Sequence, residues 1–108
     1  MKVLLDGCLP RKLKYALPDH DCQTVPEAGF AGKKNGLLLT LGESNGFDVF
    51  LTMDKGIEYE QNLRGRMIAI LVLQAKSNRL DDLLALMPAC TEAVRSAQPG
   101  RVVRITSK

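Results

Sequence analysis

Cysteine and histidine are scarce in this chain of 108 residues, with three cysteines (Cys8, Cys22 and Cys90) and a single histidine, His20. An odd, scattered set of cysteines argues against a disulfide framework. With no Cys-x-x-Cys pair and no second histidine, a zinc centre is not expected. Cys8 lacks a neighbouring histidine to activate it as a nucleophile. Cys22 and Cys90 are expected as core thiols, and His20 as a surface loop residue. Aromatic side chains are few, three Phe and two Tyr, so single-strand recognition by base stacking is not suggested. Long apolar runs are missing as well. The longest, 67–73, is far too short to cross a bilayer. Asp6 interrupts the first apolar run, so no signal peptide is expected and the cytoplasm is the default compartment. The glycine patterns of dinucleotide-binding and P-loop proteins do not occur, and a hydrolase nucleophile elbow is not expected.

What remains is ordinary globular composition. Hydrophobic residues make up 45% and charged residues 25%, enough apolar side chain to build a core and too little charge excess for disorder. The length suits one domain over 1–108. The formal net charge of +3 permits an acidic partner or a nucleic acid without demanding either.

The apolar pattern alternates between short continuous runs and helical spacing. Val3-Leu4-Leu5, ending at Asp6, reads as a strand buried on both faces. Leu9, Leu13, Ala16 and Leu17 recur at helical spacing until Pro18 stops the helix. A weak second strand is expected over 22–25, at a sheet edge. A loop follows over 27–34, then a helix capped by Asn35, with Leu37, Leu38 and Leu41 facing inward and Asn45-Gly46 ending it. The third strand is 49–52, with Asp54 just past its end. A polar stretch follows, with one helical turn over 59–63. The fourth strand is 67–73. Ser77 or Asn78 caps a C-terminal helix whose buried face carries Leu80, Leu83, Leu84, Met87, Cys90, Val94 and Ala97. Pro88 inside that pattern predicts a kink or a second helix. The last strand is 102–105, and Ser107 and Lys108 are expected to fray. This alternation calls for an α/β fold with a mostly parallel five-stranded sheet, in the order 2-1-3-4-5, covered on both faces.

In such sheets ligands bind beyond the carboxyl ends of the strands. Asp6 and Asp54 both stand there. If their strands are neighbours the carboxylates share a crevice, and their repulsion calls for a cation or a shared proton. A hard cation such as Mg2+ or Mn2+ suits oxygen ligands, and can promote hydrolysis of a phosphodiester. Either Asp can instead cap the helix that follows it; both readings stand at this point. Asn35, at the same edge, is a cap that could also touch a bound water. Arg79, after the fourth strand, could hold a phosphate. Asp48 falls at the opposite edge as a turn residue, and Glu43 is expected to face solvent.

Several segments together resemble a family of short bacterial PIN-like proteins, toxin-like and related to PIN-domain ribonucleases. The opening MKVLLDGCLP is similar to that family's MKxLLDExLP start. GKKNGLL at 32–38, FDVFLTMD at 47–54, QNLRGR at 61–66 and SNRLDDL at 77–83 extend the similarity over nearly the whole chain. The resemblance implies a PIN-like three-layer α/β/α sandwich and a cluster of acids that holds Mg2+ or Mn2+ and cleaves RNA. It also implies a small DNA-binding antitoxin-like partner, and dimerisation. Asp6 matches the acid after the first strand and Asp54 the acid of the family's TxD element. Asn35 falls where related proteins often carry Asp. Gly7 and Asn35 depart from the acidic pattern, leaving two firm carboxylates. The resulting expectation is a metal-dependent endoribonuclease with Asp6 and Asp54 as catalytic metal ligands and Asn35 and Arg79 contacting water and phosphate. The alternative is a catalytically silent module of the same fold that docks the partner.

Overall fold

Each of the first four strands is followed by a segment that returns the chain to the edge where the strand began, and the sheet is all-parallel, in the order β2-β1-β3-β4-β5. The computed structural model describes residues 1–106; the expected fraying of Ser107 and Lys108 lies outside them. The strands are β1 (Lys2–Leu5), β2 (Asp21–Thr24), β3 (Val49–Thr52), β4 (Ala69–Gln74) and β5 (Val102–Thr106). A 3-10 helix (Arg11–Ala16) follows β1, α1 (Asn35–Ser44) follows β2, and α2 (Ile57–Glu60) follows β3. α3 (Leu80–Leu84) and α4 (Met87–Arg95) connect β4 to β5. The break falls just before Pro88, whose ring lacks an N–H and is tolerated in a first turn.

Alternation along the strands splits the core. Val3, Leu5, Val49, Leu51, Leu71 and Leu73 face the 3-10 helix, α3 and α4, where Leu13, Leu83, Met87, Cys90 and Val94 cover them. Leu4, Phe50, Ile70 and Val72 face the other way, under Leu38 and Leu39 of α1, Ile57 of α2 and Phe30 of the loop between β2 and α1. β1, β3 and β4 are therefore apolar at nearly every position because both faces are buried.

Several local expectations are corrected. Between Pro10 and Pro18 the chain forms a 3-10 rather than an α-helix. Its bonds run from Leu13 N–H to Pro10 C=O and from Leu17 N–H to Lys14 C=O, and its first turn carries no acid. In α1 the buried side chains are Leu38 and Leu39, with Leu41 half-buried and Leu37 exposed. Gly42 sets that face, since a Cβ there would lie 3.1 Å from Ile68 Cδ1, so the helix rests on the sheet at this point. Leu84 is also exposed. The turn after β3 forms at α2, earlier than 59–63, because Asp54 organises its start, and Tyr59 is exposed.

β4 begins at Ala69, not at residue 67, because Glu43 takes the two preceding amides. Its Oε2 accepts the Met67 N–H at 2.5 Å and the Ile68 N–H at 3.2 Å, and its Oε1 pairs with Arg66 at 3.0 Å. Glu43 thus faces the protein rather than solvent. Burial pushes its carboxyl up, but the Met67 N–H, the Arg66 guanidinium and the Ile68 N–H outweigh that and hold it below the usual range. A depressed carboxyl adds stability above its unfolded pKa and loses it as pH falls through the folded value. We expect Glu43→Gln to cost about 1.5 kcal/mol at pH 7, the lower end for hydrogen bonds to a charged group. In urea unfolding the gap from wild type should shrink steadily as pH is lowered from 6 towards 3. A gap that is constant with pH would remove the charge from this account.

Candidate active site

Because β1 and β3 are neighbours, pairing Leu5 with Leu51, their carboxyl ends deliver Asp6 and the segment 52–54 side by side. Asp6 N–H continues the ladder to Leu51 C=O at 2.9 Å. Its carboxylate accepts the Gly7 N–H on Oδ1 (2.7 Å) and the Thr52 hydroxyl on Oδ2 (2.6 Å). The same Thr52 Oγ1 accepts the Asp54 N–H at 3.0 Å. Thr52 is fully buried, so one hydroxyl fixes both acidic residues: the carboxylate of one and the backbone of the other.

Asp54 is half-buried and held from two sides. Oδ1 accepts the Gly56 N–H at 2.9 Å, which starts α2, and Oδ2 accepts Asn35 Nδ2–H at 2.7 Å. Asp54 does not cap α2 as anticipated: Gly56 holds the N-cap position without a side-chain bond, and Asp54 closes a turn onto its N–H just ahead of the helix, leaving the carboxylate at the crevice. Asn35 is the first helical residue of α1, not its cap; Lys34 holds that position. The Asn35 amide is instead spent on Asp54. A side chain at position 36 would meet Gln61 Oε1 at 2.8 Å, so the Gln61 amide packs directly on the first turn of α1.

Arg79 lies on the same edge in the exposed loop after β4, with its N–H on Ser77 Oγ at 3.1 Å. Asn78 ties that loop to the first one by donating to Cys8 C=O at 3.0 Å. Arg79 belongs to a wider pattern. Lys33 and Lys34 before α1, Lys55 beside Asp54, and Lys76 and Arg79 after β4 are exposed and form no ion pair among the described residues. The nearby acid Glu27 is already held by Lys14 at 2.7 Å, which with the Thr24 N–H pushes its carboxyl down to about 2. At the opposite edge Asp19, Asp21 and Asp48 stand with Lys2 and Arg101, and Asp48 accepts the Lys2 N–H at 2.8 Å, a turn role as expected. The carboxyl edge therefore presents Asp6 and Asp54 inside a collar of free cations, interrupted by Glu60 beside Asp54 and by Asp81 and Asp82 in the first turn of α3.

Other candidates carry no chemistry here. Desolvation pushes the Cys8 thiol up, a Met53 N–H opposes it, and the adjacent Asp6 charge adds to the rise, which disfavours a thiolate. Burial pushes Cys22 to about 11 and Cys90 to about 12. His20 lies in the surface loop before β2 as expected, half-buried, and its Nδ1 has no partner among the described residues. The letters Gly-x-Ser-x-Gly do occur, at 42–46, but not as a nucleophile elbow. They close the C-terminal end of α1, whereas an elbow joins a strand to a helix. Gly42 is there for close packing. Gly46, with φ of 81°, ends the helix through bonds from Gly46 N–H to Glu43 C=O and from Phe47 N–H to Gly42 C=O.

No family model, curated protein or solved structure matches the chain. Among the described residues no helix is long and apolar enough to cross a membrane.

Thr52 was missed in the sequence because a threonine at a strand end is usual β chemistry; its position two residues before Asp54 was the available signal. Thr52→Val keeps the shape and removes the hydroxyl, leaving the Asp54 N–H without a partner. We expect a loss of about 1–3 kcal/mol in denaturant unfolding, with Thr52→Ser losing less. Equal losses for both variants would place the effect in packing rather than in the hydroxyl.

Proposed function

We propose that the chain is a metal-dependent endoribonuclease of PIN-like type, a three-layer α/β/α sandwich whose Asp6 and Asp54 hold one Mg2+ or Mn2+. The observation that carries this reading is the pair of aspartates at matching ends of adjacent strands, set inside the collar of free cations. The donor set suits such an ion. The ligands are hard oxygens, and each carboxylate oxygen accepts one principal hydrogen bond, which leaves a lone pair on each. With two carboxylates the ion would keep several waters. Bound there, it supplies Lewis-acid polarisation of a phosphoryl oxygen and a nucleophile at neutral pH. The chain's own residues do the rest. Thr52 orients Asp6, and Asn35 orients Asp54. Lys55 and Arg79 flank the crevice where phosphates of a bound strand would lie, with Lys33, Lys34 and Lys76 further along the same edge. RNA as substrate, a role as the toxin of a toxin–antitoxin pair and a homodimer follow from the resemblance in the segments quoted above.

A second reading is a catalytically silent module that docks a small DNA-binding partner. It is favoured by one observation: the protein already gives both oxygens of both carboxylates a hydrogen-bond partner of its own.

Calorimetric titration with Mn2+ separates the two. The nuclease reading expects binding at millimolar concentration, lost in both Asp6→Asn and Asp54→Asn, with RNA cleavage abolished in Asp6→Asn while thermal unfolding stays cooperative. Wild type that binds no Mn2+, or cleavage that survives Asp6→Asn, would overturn it in favour of the silent module. The collar has its own test. Replacing Lys55 and Arg79 by Ala should reduce the slope of log K against log salt for single-stranded RNA by about 0.7 per cation removed, uniformly across sequences.

A further inference from the structure

The two edges of the sheet are finished differently. In β2 the Asp21 N–H points inward to Met1 C=O, so Cys22 and Thr24 turn their peptide groups outward. Those of Thr24 are both occupied. Its N–H donates to Glu27 Oε1 at 2.9 Å, and its C=O accepts the Ala28 N–H at 2.9 Å. The turn after β2 thus folds back over the end of its own strand and closes that edge at Thr24, leaving Cys22 as the one open residue.

β5 has no such cover among the described residues. Arg101 C=O accepts the Ile70 N–H at 2.9 Å, so by alternation Val103 and Ile105 bond to β4 while Val102 and Arg104 direct their N–H and C=O groups outward. No described residue meets them. The strand is five residues long, and Val103 and Arg104 are exposed. Beside it lies an open hollow of about 200 Å³ lined by Ser96, Gln98, Arg101, Val102 and Val103. It is wide enough for one aliphatic side chain of a neighbouring strand.

We propose that the outer edge of β5 accepts an added strand from a partner protein, an extended segment with alternating aliphatic and acidic side chains. Main-chain bonds to Val102 and Arg104 give affinity without regard to sequence, and the hollow and the cations select the side chains. Charge argues for the acidic partner. Arg101 is exposed and makes no ion pair among the described residues, so it is the free charge at this edge; Arg104 is offset by Glu58 and also held by the Tyr59 hydroxyl. Charge also argues against a second copy of this chain. Self-pairing would bring the unpaired Arg101 of each copy to the same short ladder, where like charges oppose pairing. The proposal does not depend on the metal site and stands or falls separately from it.

The probe is an end-blocked, fluorescein-labelled heptapeptide of alternating glutamate and valine, with the lysine–valine counterpart as control. Fluorescence anisotropy with the full chain should show saturable binding of the acidic peptide only. Arg101→Glu, a surface change that leaves the fold intact, should weaken it about fivefold. Val102→Pro removes an outward N–H that the sheet does not use, and should weaken binding further with unchanged thermal unfolding. By NMR hydrogen exchange, the amides of Val102 and Arg104 should gain protection on binding. Equal binding of both peptides, indifference to Arg101→Glu, or no new protection at 102 and 104 would overturn the proposal. So would concentration-dependent self-association that protects those same amides without peptide.

Discussion

Parallel pairing of β1 with β3 is the constraint on which the rest of this molecule depends. In a parallel sheet every strand ends at the same edge, so every loop that follows a strand must gather there. The order β2-β1-β3-β4-β5 places the loops after β1 and β3 next to each other and those after β2 and β4 on their flanks. Asp6 and Asp54 are brought together by that order alone, although 46 residues separate Asp6 from its partner Thr52. The cations come with the flanking loops. Burial supplies the energy, since β1, β3 and β4 are covered on both faces, and each fully buried Leu, Ile or Val side chain contributes about 1.5–3 kcal/mol relative to exposure. Register is correspondingly strict. A slip of one residue would turn Leu4 and Phe50 away from the helices that cover them and would separate Thr52 from Asp6.

Within that frame the site is assembled from groups that also serve the fold. The Thr52 hydroxyl completes the hydrogen bonding of the Asp54 amide and fixes the Asp6 carboxylate. Asp54 starts α2 through Gly56, and Asn35 joins the first turn of α1 to the end of β3. A site of this kind is stiff because moving any one carboxylate breaks a bond that a backbone element needs. Preorganisation of this sort helps any function that uses the crevice, since the ordering entropy is met in folding rather than on binding.

The sheet was legible in the sequence because its signal is redundant. Short apolar runs, turn residues and helical spacing agree in β1, β3, β4 and β5, and right-handed crossovers leave few ways to order them. What escaped was every feature decided by a single long-range partner. The inward face of α1 depends on how closely Gly42 approaches Ile68, and the Leu-rich stretch of α1 offered more than one face. The start of β4 depends on Glu43, whose reach to the Met67 and Ile68 amides crosses 24 and 25 residues. Local spacing gives a 3.6 period but not the residue that a side chain will meet. The two aspartates were found by topology, which sequence can supply. Thr52 was not, since its role appears only when both neighbours are in place.

Asn35 shows how charge and neutrality divide the work at this edge. An aspartate in its place would set a second carboxylate near Asp54 Oδ2, where asparagine now donates at 2.7 Å. Two ionised carboxylates at that separation repel, and without a cation one must take up a proton or swing away. The asparagine replaces repulsion by a bond: its N–H donates to Asp54 Oδ2 and holds the side chain in place whether or not a cation is present. A third acid would strengthen attraction for a divalent ion, but the ordered crevice would then depend on that ion. Asn35 gives up part of that attraction and keeps the crevice ordered by the protein alone. The neutral residue that departs from the acidic pattern is therefore compatible with a single, largely hydrated ion held by Asp6 and Asp54. It is equally compatible with a crevice that serves only as a fixed shape, because in both cases the geometry is set by hydrogen bonds the chain makes to itself.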